Sequence, residues 1–245
     1  MKQLIQCICL AFIISTSFAI AAPQVKPIPE SLGLRKVGVF NASTLCAVGM
    51  SGIHRSSDGG NTWTHVYGHP DSNYGTSDIA VITSRLAFVV GTDFRSMGGS
   101  TNNLLLKTTD AGITWERIII PGYTYFSYNI AYDGNNNILI TGYEQNLLLS
   151  TNKGATWTAT TTTSWTWFQG IGTLRIKDGY AYIANGSIQK SQNFLEWSYL
   201  PYSSGTRYGI DKIGNTIFAV GESNGGYGQI SRSTNGNAWI DTSFT

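Results

Sequence analysis

Cysteine, histidine and methionine are scarce, at three residues each. Two of the cysteines, Cys7 and Cys9, lie in the first stretch of chain. Only Cys46 remains beyond it, so the folded part cannot form an internal disulfide and must be held by its core. Three histidines without a cysteine cluster exclude a metal centre of familiar ligand spacing, and no metal is expected. Charge is also sparse, at 12% of residues, with 16 Lys and Arg against 14 Asp and Glu. That balance excludes a basic nucleic-acid groove and a polybasic membrane patch. No nucleophile elbow, glycine-rich phosphate loop or dinucleotide fingerprint occurs, so no cofactor is expected.

Long apolar runs are missing except at the very start. Met1 and Lys2 precede a run from Leu4 to Phe18, and Ala19-Ile20-Ala21 offers small residues for cleavage. The pattern predicts a signal peptide over 1–21, a linker over 22–33 and export to the periplasm or beyond. With the signal cleaved, no membrane span is expected. Leu45-Cys46-Ala47-Val48 reads as a buried strand, with Cys46 as a small core residue.

What the chain has in quantity is Gly, Asn, Ser, Thr and aromatics, which favour short strands and tight turns. Five tryptophans recur at intervals of about 40–50 residues, the period of a four-stranded repeat. Each ends a related segment. The first three are Ser56-Ser57-Asp58-Gly59-Gly60-Asn61-Thr62-Trp63, Thr108-Thr109-Asp110-Ala111-Gly112-Ile113-Thr114-Trp115 and Ser150-Thr151-Asn152-Lys153-Gly154-Ala155-Thr156-Trp157. The fourth and fifth are one residue shorter: Ser191-Gln192-Asn193-Phe194-Leu195-Glu196-Trp197 and Ser233-Thr234-Asn235-Gly236-Asn237-Ala238-Trp239. Asp or Asn can bond backbone N–H groups two residues on and close a turn. Gly supplies positive φ. Trp supplies a large apolar anchor at the start of the next strand, expected to pack between sheets.

The pattern Ser/Thr-x-Asp/Asn-x-Gly-x-Thr-Trp resembles the Asp-box, or BNR repeat, of sialidases, sortilin-type receptors and photosystem II assembly factors of the Ycf48 type. The resemblance covers about 34–245. It implies an all-β, five-bladed β-propeller of four-stranded antiparallel blades, at about 34–67, 76–120, 126–161, 168–201 and 206–245. It also implies a structural role for Asp58, Gly60, Trp63, Asp110, Gly112, Trp115, Asn152, Gly154, Trp157, Asn193, Trp197, Asn235 and Trp239. The ring is expected to close by packing between blades one and five, or through a strand from Pro23–Pro29.

In a propeller the turns ending in Trp share one face, and the between-blade loops share the other, around the channel mouth. Those loops are rich in aromatics. Tyr74, Tyr125, Trp167 and Tyr208, with Asp93, Arg95 and Arg207, make the candidate binding face. Aromatic faces stack on sugars, and Asp and Arg bond hydroxyls, so a glycan or a protein is the expected partner. The leading reading is a non-enzymatic binding module; a sialidase-like glycoside hydrolase and an assembly or scaffold factor are the alternatives. A hydrolase needs paired carboxylates, and Asp78, Asp93, Glu144, Asp211 and Glu222 are the available ones. The sialidase Arg-Ile-Pro signature is absent, since Arg35 is followed by Lys36 and Val37. His54 and His65 are expected to face each other across a hairpin.

Overall fold

The computed structural model describes residues 33–68, 74–93, 103–123, 127–143, 146–161, 172–201 and 205–243. Twenty strands form five separate sheets of four, each in simple up-and-down order. Sheet one holds β1 (Leu34–Val39), β2 (Leu45–Gly49), β3 (Gly52–Ser56) and β4 (Thr64–Tyr67). Sheet two holds β5 (Tyr74–Val81), β6 (Ala87–Asp93), β7 (Asn103–Thr108) and β8 (Glu116–Arg117). Sheet three holds β9 (Ser127–Tyr132), β10 (Ile138–Gly142), β11 (Asn146–Ser150) and β12 (Thr158–Thr161). Sheet four holds β13 (Thr173–Lys177), β14 (Tyr180–Asn185), β15 (Ser187–Ser191) and β16 (Ser198–Tyr199). Sheet five holds β17 (Thr206–Ile213), β18 (Thr216–Glu222), β19 (Gly228–Ser233) and β20 (Ile240–Ser243). All pairings are antiparallel, giving the five-bladed β-propeller class.

The middle strands are apolar on both faces, as strands sandwiched between sheets must be: β6 and β10 are buried at every residue. Side chains alternate between the preceding and following sheet. Phe40, Cys46, Val48 and Ile53 of sheet one pack on Ile79, Val89, Leu104 and Leu106 of sheet two. Phe88, Val90 and Leu105 then meet Ile130, Ile138, Ile140 and Leu148. Leu139 and Leu147 meet Leu174, Ile183 and Trp197, and Tyr182 and Ile188 meet Ile210 and Ile217. Each such fully buried aliphatic is worth roughly 1.5–3 kcal/mol of transfer free energy.

Five sheets thus enclose four cores. Among the described residues no fifth core joins sheet five to sheet one, and their strands share no extensive packing. Val37 and Val39 on one end and Phe218, Val220 and Ile230 on the other stay exposed. Packing of blade five on blade one, the expected closure, is not seen among the described residues. Pro23–Pro29 lies outside the described residues.

The first three turns share a geometry that differs from the expected two-residue reach of the acid. The Ser56 hydroxyl, not Asp58, serves the N–H two residues past the acid: Gly60 N–H donates to Ser56 Oγ at 2.8 Å. Asp58 reaches further, taking Thr62 N–H at 2.9 Å and the Thr62 hydroxyl at 2.7 Å. Asp110 does the same with Thr114, and Asn152 takes Thr156 N–H at 2.9 Å. The first three turns carry two successive left-handed residues: Gly59–Gly60, Ala111–Gly112 and Lys153–Gly154. The fourth and fifth carry one, Phe194 or Gly236, which accounts for the missing residue. Their Asn193 and Asn235 accordingly bond N–H groups two and three residues on. In every case the Trp closes the turn, and the fourth strand begins one residue later.

The second to fifth turns lean on the preceding sheet. A side chain at Gly112 would strike Cys46 of sheet one, and one at Gly154 would strike Phe88 of sheet two. Trp115, Trp157, Trp197 and Trp239 all pack in the cores between sheets. Among the described residues no sheet precedes Trp63; it is half-buried, joins none of the four cores, and donates to Gly60 O at 3.1 Å. The expectation of five indoles between sheets holds for four.

Candidate functional site at the channel mouth

The innermost strands β1, β5, β9, β13 and β17 pack in succession and line the channel. Four of them carry a β-bulge at the end away from the Trp turns. Pairing skips Arg35 opposite Gly49–Val48, Ser77 opposite Gly91–Val90, Tyr128 opposite Gly142–Thr141 and Tyr208 opposite Gly221–Val220. A bulge leaves one residue out of the ladder and re-aims its side chain. Gly49 at the end of β2, and Gly91 and Gly221 near the ends of β6 and β18, are its counterpart. A Cβ on Gly49, Gly91 or Gly221 would collide with the carbonyl of Gly33, Gly75 or Thr206 respectively. Arg35, Ser77, Tyr128 and Tyr208 thus occupy equivalent places around the mouth. Arg35 is exposed, Ser77 and Tyr128 are half-buried, and Tyr208 is 44% exposed.

One residue further in, Asp78 is buried in the channel wall. Its carboxylate accepts N–H bonds from Ile79 at 2.9 Å and from Ile130 of the next sheet at 3.3 Å. Burial pushes its pKa up, while Lys36 of sheet one pulls it down, joined more weakly by those amides and by Arg175 of sheet four. Lys36 and Arg175, from different sheets, thus both act electrostatically on one desolvated carboxyl.

Polar ties hold the sheets together at this end. The Thr76 hydroxyl accepts Gly49 N–H at 2.8 Å and lies 2.8 Å from Gly49 O. Ser127 Oγ donates to Asn103 Oδ1 at 2.8 Å, and Gly186 and Arg207 exchange backbone bonds of 2.8 and 3.1 Å.

The residues expected on the binding face divide. Tyr208 stands at a bulge, exposed. Asp93 is not in a loop but ends β6, buried, in a 2.7 Å ion pair with Arg117, which also donates to Asn103 O. Arg207 is fully buried beneath sheet five, donating to Ser231 Oγ at 2.8 Å with Asp241 3.7 Å away. Both are buried and held by polar contacts within their own sheets. Tyr74 opens β5. Tyr125, Trp167 and Arg95 lie outside the described residues, as does Glu144. Asp211 and Glu222 are exposed, on the face of sheet five turned away from sheet four. Lys36, Ser77, Tyr128 and Arg175 were missed; for Ser77 and Tyr128 the signal available was the glycine at or near the end of the second strand, which marks the bulge opposite.

His54 and His65 do pair across the β3–β4 hairpin, with ring centroids 5.0 Å apart. His54 Nε2 lies 3.0 Å from Ser51 Oγ, and His65 Nε2 lies 3.1 Å from Ser51 O. Burial, then the neighbouring His65, lowers the His54 pKa. On the turn-bearing side, a cleft of about 160 Å³ between Arg55, Thr62, Thr64, Val66 and Ile113 is smaller than the usual ligand pocket.

Sheets, bulges and channel together define a β-propeller. The molecule resembles solved propellers at low sequence identity. A structure described as Ycf48 bound to a D1 peptide superposes with a TM-score of 0.66 at 17% identity, covering 91% of this chain and 74% of that one. Ycf48 from Cyanidioschyzon merolae gives 0.61 at 16% identity, covering 88% and 87%. An ancestral GH74 enzyme gives 0.63 at 17% identity, but covers 86% of this chain and only 31% of that one. These likenesses show the fold. No protein-family profile and no curated protein sequence matches the chain.

Proposed function

We propose that this is an exported, non-enzymatic binding propeller of the BNR type whose channel mouth receives a protein segment bearing a carboxylate. The carrying observation is the arrangement of Lys36 and Arg175 about buried Asp78, rimmed by Tyr128 and Tyr208 at the bulges. The cations attract the charge, and the aromatic rims suit an extended peptide or a sugar ring. A protein is preferred over a glycan because a similar propeller is described with a bound peptide.

A glycoside hydrolase requires two carboxyls facing one bond. Here Asp78 lies in the channel wall, Asp93 in an ion pair, and Asp211 and Glu222 on the outer face of sheet five. That dispersal favours binding over hydrolysis.

The test is a peptide panel differing only in free or amidated C-terminal carboxylates, run beside a glycan array and fluorogenic glycosides. Free-carboxylate peptides should bind, and Lys36→Met or Arg175→Met should each weaken binding about tenfold, the order of 1.4 kcal/mol for one charge contact. Glycan binding indifferent to both substitutions, or turnover of a glycoside, would contradict the reading.

A further inference from the structure

Sheet five uses one face, through Ile210, Ile217, Ala219 and Trp239, to cover sheet four. Its other face carries a compact apolar patch that no described residue of another sheet covers. Strand register places the residues. Asp211, Phe218, Arg232 and Ile240 form one row across β17, β18, β19 and β20. Gly209, Val220, Ile230 and Thr242 form the next row. Phe218 is 38% exposed, Val220 47%, Ile230 42% and Ile240 65%. Sheets one to four each have the corresponding face buried by the following sheet, so the shape and chemistry of this surface are those of a sheet-packing face.

We infer that this face pairs with the same face of a second copy, making a twofold-symmetric dimer. The charge pattern argues for self-pairing. Let a twofold axis run along β18 between two stacked sheets, as in an aligned β-sandwich. Phe218 then meets its own symmetry mate, and so does Val220. β17 of one copy lies opposite β19 of the other. Asp211 therefore faces the second copy's Arg232, and the reverse pair forms on the other side. Both residues are exposed at the two flanks of Phe218 in the single chain. Ile230 falls opposite Gly209, which has no side chain to obstruct it. Sheets stacked about 10 Å apart are within reach of an Arg–Asp pair.

A head-to-tail arrangement is the competing geometry, with sheet five of one copy on sheet one of the next. That contact is heterologous and propagates into rings or open chains, whereas the self-paired contact closes at two copies. Sheet one is also the poorer complement, since its free face sets His54 and His65 beside Val37 and Val39.

The test is sedimentation equilibrium on the full chain over a range of concentrations. The wild type should fit a monomer–dimer equilibrium with no larger species. Asp211→Arg and Arg232→Asp should each give a monomer, because like charges then oppose across the axis. The double variant Asp211→Arg with Arg232→Asp should dimerise again, a rescue that a general loss of folding cannot produce. Val37→Glu with Val39→Glu should leave the dimer intact. A wild type that is monomeric throughout, association beyond two copies, single charge reversals that stay dimeric, a double variant that stays monomeric, or dissociation by the sheet-one variant would each overturn the proposal.

Discussion

Phe88 and Trp157 meet edge to face across the boundary between the second and third sheets, with ring centroids 5.5 Å apart and planes at 81°. The indole belongs to the third Trp turn and the phenyl to the second strand of the preceding sheet. Gly154 sits directly over the same phenyl, where any side chain would collide with it. The turn motif is therefore also an inter-sheet lock. Its hydrogen bonds fix the hairpin, its glycine clears the way, and its Trp is laid on the sheet before it.

Gly91 lies under the Gly75 carbonyl at the bulge of β5, with a backbone atom as the obstacle. Gly91→Ala should cost about 1–3 kcal/mol, the usual cost of overpacking where the neighbour cannot yield. Urea unfolding should show a lower midpoint with an unchanged slope. An unmoved midpoint would contradict the close approach at this bulge.

Acid should act through two of the five turns. Thr62, by its hydroxyl and its N–H, holds the Asp58 pKa down to about 2. Desolvation would raise Asp110, but the bonds from Thr114 and Thr108 outweigh it and bring it to about 2 as well. A carboxylate whose folded pKa lies below its unfolded value stabilises above the unfolded value, and that stability is lost as pH falls through the folded one. Melting temperature should therefore drop between about pH 4 and pH 2. Asp58→Asn with Asp110→Asn should flatten that part of the profile, since Asn152, Asn193 and Asn235 already serve the other turns without titrating. An identical acid slope in the double variant would count against these bonds.

Cys46 is buried against sheet two, and burial, eased only partly by Arg55, pushes its thiol up to about 12. With Cys7 and Cys9 replaced by serine, the native protein should not react with a disulfide reagent at pH 8, and denaturant should release one equivalent. Rapid native labelling would place Cys46 at the surface instead.

Much of this architecture was legible because turn chemistry is local. Ser56, Asp58, Gly60 and Trp63 lie within eight residues and specify a hairpin without reference to the rest of the chain. The alternating strands between turns followed from the same spacing. Two things were not legible. Whether sheet five reaches sheet one depends on the rotation between every successive pair of sheets, which no short segment encodes. Exposure at the mouth was the other. Asp93 and Arg207 read as loop or rim residues, yet Arg117 and Ser231, distant in sequence, draw them into the structure. Lys36 and Arg175 read as ordinary alternating strand residues until the inner strands bring both toward Asp78.

The central claim is that each Trp turn locks onto the sheet before it, so that the first turn has nothing to lock. Thermal unfolding of Trp157→Ala beside Trp63→Ala measures this directly. Loss of the packed Trp157 should cost about 3 kcal/mol, lowering the melting temperature by about 10 °C, and loss of Trp63 about 1 kcal/mol or less, near 3 °C, for a chain of this size. Equal losses for the two variants would mean that Trp63 too is held between sheets, and that the ring is closed.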